Sequence, residues 1–146
     1  MTRIAVLHPG AMGAAVGAAL RALGHEVVWL PAGRSEGTRR RADTAGLKPA
    51  ADLTGCDLVV SVVPPAAARS TAESISGFTG LVVDANAISP DTAQQVATII
   101  EAGGATYVDG GIIGPPPERV GTTRLYLSGA AAPHVARSFA GARIEP

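Results

Sequence analysis

The sequence has few of the residues that indicate a secreted, membrane-spanning or nucleic-acid-binding protein. It contains one cysteine, Cys56, which cannot form an internal disulfide, and this fits a reducing compartment. No apolar run is long enough to cross a bilayer and the N-terminus leads directly into a predicted strand, so we expect a soluble cytoplasmic protein. The formal net charge is +0 and the only lysine is Lys48, which gives no electrostatic argument for nucleic acid or an anionic membrane. The 146 residues, 47% of them hydrophobic, predict one domain with its own core.

The N-terminal stretch predicts a strand, a glycine turn, a helix and a second strand. The apolar run Ile4 to Leu7 lacks alternation, which is typical of a strand buried on both faces of a parallel sheet. A glycine-rich helix follows, opened by Gly10 and Gly13, and it ends at Gly24. Glu26 to Leu30 is the second strand. This order is the context in which a glycine turn binds a dinucleotide.

The turn resembles the dinucleotide-binding pattern G-x-G-x-x-G, with its first glycine replaced by His8. The absence of a side chain at Gly10 would let a pyrophosphate approach the backbone, and Gly13 would let the helix lie close to the strand. The alternative is that these glycines serve only tight packing between helix and strand. On the first interpretation the predicted phosphate-binding residues are His8, Pro9, Gly10, Ala11, Met12 and Gly13.

The loop after the second strand predicts which dinucleotide binds. No acidic residue stands at the end of this strand, where it would select the unphosphorylated cofactor; Arg34 and Ser35 lie in the loop instead. A guanidinium and a hydroxyl can bind a 2′-phosphate, so NADP(H) is predicted, with NAD(H) as the alternative. The run Arg39 to Arg41 is either part of this phosphate site or a solvated helix face.

The rest of the chain repeats strand, polar tip and helix, and predicts a Rossmann-type α/β fold with a doubly wound, mainly parallel sheet and an antiparallel edge strand. The predicted elements are a linking region Ala42 to Asp57 with a short strand at Lys48 to Ala50, a strand Leu58 to Val63, a helix Ala66 to Ile75, a strand Leu81 to Asp84, a helix from Pro90 to Ala102 capped by Ser89, a strand Ala105 to Val108, a loop Asp109 to Gly121, an alternating strand Thr123 to Ser128, a helix Pro133 to Ala140 and the beginning of a strand at Ile144.

Ligands of open parallel sheets bind at the carboxyl ends of the strands. Val63 and Pro64 are therefore placed to line the nicotinamide side; the alternative is that Pro64 and Pro65 only end the strand. Asn86 is placed to contact a ribose hydroxyl or a substrate oxygen. Asp84 and Asp109 have two interpretations, as acids or bases and as acceptors for neighbouring backbone N–H groups. No metal site is predicted.

These motifs resemble, in order, those of the β-hydroxyacid dehydrogenases, a family that includes 6-phosphogluconate and 3-hydroxyisobutyrate dehydrogenases and the imine reductases. The turn from His8 to Gly13 resembles the family's G-x-G-x-M-G, Arg34-Ser35 its NADP-selecting pair, and Val63-Pro64 its Leu-Pro at the nicotinamide. Asp84 to Pro90 is similar to its D-x-S-T-x-S-P, and Asp109 to Gly114 to its substrate loop D-A-P-V-S-G. The subset related to 6-phosphogluconate dehydrogenase is the more similar.

The resemblance implies an oxidoreductase that transfers hydride between NADP(H) and a hydroxy acid, a keto acid or a related small molecule. It implies substrate contacts at Asn86, Ile113 and Gly114, although Asn86 and Ile113 replace serines that hold the substrate carboxylate in the family. The family's proton-transfer lysine lies on a helical domain that also forms the dimer, which would follow Pro146; Lys48 does not match it.

The expectation is thus an NADP-binding domain over residues 1–146 that binds cofactor without turnover and forms a homodimer when the protein is complete. The alternatives are a stand-alone NADP(H)-binding module without catalysis and the cofactor domain of an imine reductase. The identity of the substrate is not predicted.

Overall fold

Eight strands form one sheet in the computed structural model, which describes residues 1–146. They are β1 (Arg3–Leu7), β2 (Glu26–Trp29), β3 (Lys48–Pro49), β4 (Leu58–Ser61), β5 (Leu81–Asp84), β6 (Thr106–Ile113), β7 (Thr123–Ser128) and β8 (Ile144–Glu145). The order across the sheet is β3-β2-β1-β4-β5-β6-β7-β8. Neighbours from β3 to β6 are parallel, β7 is antiparallel to β6, and β8 is parallel to β7. The predicted mainly parallel α/β sheet is confirmed, and its order reverses between β1 and β4.

Five helices cover the two faces of the sheet. They are α1 (Ala11–Ala22), α2 (Glu36–Ala45), α3 (Ala68–Ser74), α4 (Pro90–Ala102) and α5 (Ala132–Phe139). Residues of α1, α2 and α5 pack in one hydrophobic cluster, and residues of α3 and α4 pack in a second cluster on the opposite face. No helix combines the length and the apolar character that a membrane crossing requires.

The first strand is buried on both faces, as its sequence predicts. Ile4 and Val6 pack in the cluster under α1, whereas Ala5 and Leu7 pack in the cluster under α3 and α4. The helix ends before Gly24, whose φ of +90° is a conformation that glycine adopts without a steric penalty. The carboxyl end of β1 is therefore packed on both faces at the point where the strand order reverses.

Two predicted connections are wrong. Part of the linking region from Ala42 belongs to α2, which continues to Ala45 and ends at Gly46 with a φ of +71°. The predicted loop from Asp109 is in its first part a strand, because β6 continues to Ile113. The reason is the non-local partner β7, which pairs antiparallel with residues 109–113 and satisfies their backbone groups.

Other boundaries differ by a few residues. The strand predicted to end at Val63 stops at Ser61, and the helix predicted from Ala66 starts with a 3-10 turn at residues 65–67. The alternating strand at Thr123–Ser128 is confirmed as antiparallel, but β8 lies outside it and forms the edge of the sheet. Ser89 caps α4 by accepting a hydrogen bond from the Thr92 backbone N–H, as predicted.

A histidine joins the two ends of the chain. The backbone N–H of Thr2 donates to Nδ1 of His25 at 3.3 Å, so the ring hydrogen lies on Nε2, which donates to the carbonyl of Ser138 at 2.9 Å. This ring therefore connects the start of β1, the turn before β2 and the end of α5.

Candidate functional site

Helix α1 begins without a side-chain cap. Its N-cap is Gly10, which has no side chain to accept a hydrogen bond, whereas Ser35 and Ser89 cap α2 and α4. The first-turn N–H groups of α1 and the positive end of its dipole are thus available to an anion. They lie at the carboxyl end of β1, beside the reversal of strand order where open α/β sheets bind ligands.

The packing alternative explains one of the helix glycines but not the first. A Cβ added at Gly17 would lie 2.7 Å from a methyl carbon of Leu47, so glycine at this position lets α1 pack closely against the segment before β3. A Cβ at Gly13 would make ordinary contacts, 3.5 Å from Val6 and 3.7 Å from Val62. At Gly10 it would meet nothing within 4 Å. The space in front of Gly10 is free for a ligand.

His8 adopts a backbone conformation that favours glycine. Its φ is +51°, the only positive φ among the non-glycine residues, and it stands where the motif has its first glycine. Nδ1 of its half-buried ring has no hydrogen-bond partner. Burial lowers the pKa of His8 below its ordinary value, and the positive charge of Arg34 adds to this effect.

The structure places four of the predicted cofactor residues around one cleft. This cleft has a volume of about 500 Å³ and lies between the end of β1, the loop before α2, the turn after β4 and one side of α3. The predicted lining residues are His8, Arg34, Val63 and Pro64; those that the sequence analysis missed are Ala67, Ser70, Thr71 and Ser74. The signal that could have found the missed residues is the spacing of Ser70 and Ser74, which puts both hydroxyls on one side of α3.

Ser35 and the following arginines shape the loop beside this cleft. The Ser35 hydroxyl caps α2 by accepting the Thr38 backbone N–H at 3.2 Å, and its side chain remains exposed. Nε of Arg41 donates to the carbonyl of Pro9 at 3.2 Å, and Arg39 donates to the carbonyl of Pro31 at 3.4 Å. Two of the three arginines therefore hold the turns of the site in place, a role that neither interpretation of the run included.

Asn86 is buried and joins the tips of two strands. Its Oδ1 accepts the Val63 backbone N–H at 2.7 Å, and its Nδ2 donates to the Ser61 hydroxyl at 3.3 Å. Only 5% of Asn86 is exposed. The amide fixes the position of Val63, which lines the cleft, and its predicted contact with cofactor or substrate stays a prediction.

The two strand-tip aspartates lie side by side, because Asp84 and Asp109 are paired across β5 and β6. Oδ1 of Asp84 accepts the backbone N–H of Asn86 at 3.0 Å, which is the second of its two predicted roles, an acceptor for a neighbouring backbone N–H. Burial raises the pKa of Asp84 to about 6. Asp109 accepts a long hydrogen bond of 3.4 Å from the Tyr107 hydroxyl, and burial raises the pKa of that tyrosine.

A second, smaller cavity of about 270 Å³ lies at the tips of β5, β6 and β7. Its polar lining residues are Asn86, Asp109, Tyr126 and Ser128, of which the sequence analysis did not predict the last two. The predicted substrate residues Ile113 and Gly114 lie outside this lining. Ile113 is 65% exposed, and Gly114 has a φ of +124° with the Thr122 carbonyl oxygen where a Cβ would lie.

The fold matches many solved structures, although no protein-family model and no curated protein matches the chain. A conserved protein of unknown function, described as structurally similar to 3-hydroxyacid dehydrogenases, is 30% identical with a TM-score of 0.86, over 98% of this chain and 56% of that one. The 3-hydroxyisobutyrate dehydrogenase of Mycobacterium tuberculosis, solved with L-serine, is 23% identical with a TM-score of 0.82, over 95% and 51%. A reductive aminase from Aspergillus terreus, solved with NADPH and ethyl levulinate, is 21% identical with a TM-score of 0.81, over 99% and 53%.

Imine reductases are among the other matches. The chain spans about half the length of these proteins.

Proposed function

We propose that this chain is the NADP(H)-binding domain of an oxidoreductase. Its fold is related to those of 3-hydroxyacid dehydrogenase-like proteins and imine reductases, as its motifs predicted. The proposed reaction is hydride transfer between the nicotinamide and a hydroxy acid, a keto acid or a related small molecule. The observation that carries the proposal is the cleft at the carboxyl ends of β1 and β4, which is lined by His8 and Arg34. The uncapped N-terminus of α1 begins two residues after His8 in the chain, at Gly10.

The residues present fit a phosphorylated dinucleotide. The free space in front of Gly10 and the uncapped first turn of α1 suit a pyrophosphate. The exposed guanidinium of Arg34 and the hydroxyl of Ser35 lie at the end of the loop after β2, where the adenosine ribose belongs in this fold. No carboxylate lines the cleft, so a 2′-phosphate would meet no like charge there. These observations support NADP(H) over NAD(H).

When bound, the nicotinamide would supply or accept the hydride. The residues of this chain would hold and orient it. Val63 and Pro64 would form the wall on the nicotinamide side, and the bond from the Val63 N–H to Asn86 would keep that wall fixed to the tip of β5. The smaller cavity beside Asp109 and Tyr126 would receive the substrate.

The proton that accompanies hydride transfer would come from outside residues 1–146. Asp84 is buried and accepts a backbone N–H, and Asp109 accepts the Tyr107 hydroxyl, so in this chain both side chains act as hydrogen-bond acceptors. We propose, as the resemblance implies, that a helical domain after Pro146 supplies a lysine for this step and forms a homodimer.

The structural matches to imine reductases and to a reductive aminase favour a second candidate, reduction of a C=N bond by the same domain. The two candidates share the cofactor cleft and differ in the substrate. NADPH oxidation by the longer protein with keto acids and with cyclic imines, compared at equal concentrations, discriminates between them.

The test of the proposal is a fluorescence titration of the chain with NADPH and with NADH. We expect NADPH to bind more tightly by at least about tenfold, because a charge-assisted contact to phosphate contributes about 1.5–3 kcal/mol. Arg34→Ala should remove this preference and leave the affinity for NADH unchanged. Arg137→Ala, a change of an exposed arginine on α5, is the matched control and should alter neither affinity. Equal affinity for both cofactors in the unmodified chain would contradict the NADP(H) assignment.

A further inference from the structure

His8 differs from the glycine that the phosphate-binding pattern has at its position. It takes the left-handed backbone conformation of that glycine, with a φ of +51°, and so places an imidazole in the cleft opposite Arg34. Nδ1 of the ring is buried and unpaired. The chain contains two other histidines, but His25 is paired on both nitrogens and His134 is exposed on α5. His8 alone brings a titratable ring to the site.

The one charged residue that lines the cleft together with His8 is positive. Arg34 lies in the same cleft, and Arg41 is bound to the carbonyl of the adjacent Pro9. The α3 side of the cleft contributes only hydroxyls, and the nearby charges of that helix, Arg69 and Glu73, pair with each other at 3.2 Å. Without an anion, burial and Arg34 lower the pKa of His8, so the ring is neutral near pH 7.

A bound phosphate would add negative charge next to the His8 ring. Its charge would offset that of Arg34, which lines the same cleft, and would favour the imidazolium form of the His8 ring. We propose that His8 takes up a proton from the solvent when a dinucleotide phosphate binds between it and Arg34, and that the protonated ring donates a hydrogen bond to a phosphate oxygen. This inference rests on the proposed function, because it assumes that the cleft binds a dinucleotide.

The link between proton uptake by His8 and cofactor binding predicts how the affinity depends on pH. Below the pKa of His8 in the free chain the ring is already protonated, and above its pKa in the complex it stays neutral, so proton uptake is greatest between the two. Affinity therefore falls as the pH rises through this interval, by at most about tenfold per pH unit for one proton.

Calorimetric titration of the chain with NADPH in two buffers of different ionisation enthalpy measures the protons taken up per bound cofactor. The 2′-phosphate also ionises near pH 6, so the readout is the difference between the unmodified chain and His8→Gly or His8→Asn. Both substituents tolerate a positive φ and neither titrates. We expect the uptake to fall in both variants and to be unchanged in the matched control His134→Asn. If the difference in proton uptake between the unmodified chain and the His8 variants is also found with NADH, the effect comes from the pyrophosphate. If it is found only with NADPH, the effect comes from the 2′-phosphate.

Equal proton uptake in the unmodified chain and in both His8 variants, with binding intact, would overturn the inference and leave the proposed function standing. A chain that binds neither NADPH nor NADH would overturn both. A second measurement does not depend on the folding of a variant: the NMR signal of the His8 Cε1–H, followed against pH with and without saturating NADPH. We expect its midpoint to move to higher pH in the complex, and an unchanged midpoint would overturn the inference.

Discussion

The carboxyl edge of the sheet has two regions that use polar groups in opposite ways. At the tips of β1 and β2, Nδ1 of His8 has no partner and the first turn of α1 has no cap. At the tips of β5 and β6, Asp84, Asn86 and Asp109 are all bound to neighbouring groups of the chain. The polar residues that most resemble catalytic groups therefore hold the strand tips together, whereas the first turn of α1 stays available to a ligand.

Two glycine substitutions give the largest expected effects, one on ligand binding and the other on packing. Gly10→Val should reduce nucleotide affinity by about a hundredfold or more, because the side chain would fill space that only a ligand needs. The melting temperature should change little. Gly103→Ala, at the end of α4, should do the reverse, because its Cβ would overlap the carbonyl oxygen of Ser76. Thermal unfolding and NADPH titration of both variants measure the two effects.

Gly10→Val could instead lower the melting temperature and leave NADPH binding per folded molecule unchanged. That result would assign Gly10 to packing, in the same way as Gly17.

Asp84 gives a smaller effect, on stability as a function of pH. Its pKa is about 6 in the folded chain against an ordinary value of 3.8, so the folded state holds this proton more tightly than the unfolded state does. The free energy of unfolding should therefore decrease as the pH rises from about 4 to about 6, and Asp84→Asn should be more stable than the unmodified chain at pH 7 by about 2 kcal/mol.

Urea denaturation of both proteins between pH 4 and pH 8 checks this expectation. Asp43→Asn, at an exposed position of α2, is the control and should leave the shape of the pH profile unchanged. If the free energy of unfolding changed with pH in the same way in Asp84→Asn and in the unmodified chain, burial would not raise the pKa of Asp84.

The serine caps give the smallest effect and the most closely matched pair. Ser35 and Ser89 each accept a backbone N–H at 3.2 Å, so either change to alanine should lower stability by about 1 kcal/mol. Only Ser35→Ala should also weaken NADPH binding, by about three- to tenfold, because one hydrogen bond to phosphate is lost. An equal loss of affinity in Ser89→Ala would remove the distinction between the two regions.

Much of the parallel half of the fold could be predicted because its signals are local. Uniform apolar runs such as Ile4 to Leu7 identify strands buried on both faces, and Ser89 followed by Pro90 identifies the start of α4. The resemblance to β-hydroxyacid dehydrogenases agrees with the structural matches, one of which is 30% identical and is described as structurally similar to 3-hydroxyacid dehydrogenases.

The continuation of β6 could not be predicted in this way. Gly110 and Gly111 have low strand propensity, and the strand exists because β7, distant in sequence, pairs with it. A Cβ at Gly110 would lie 3.0 Å from Val83 and 3.2 Å from the carbonyl oxygen of Asp84, so a side chain there would be crowded by the neighbouring strand β5.

The cleft was predictable only in part. The strand ends and the loop after β2 carry recognisable motifs, which placed His8, Arg34 and Val63 together. Ser70 and Ser74 belong to no motif, and their part in the cleft depends on how α3 is rotated about its axis, which is set by packing on the sheet.

The bond between His25 and Ser138 has a consequence for the order in which the chain folds. The strands on either side of β1 are encoded before residue 62, so this half of the sheet can pair while the ribosome is still making the rest. The acceptor for Nε2 of His25 is synthesised 113 residues later. The bond from His25 to Ser138 can therefore form only after α5 has been translated. The strands at the centre of the sheet can pair early, but the histidine beside the start of β1 gains its second hydrogen bond late in synthesis.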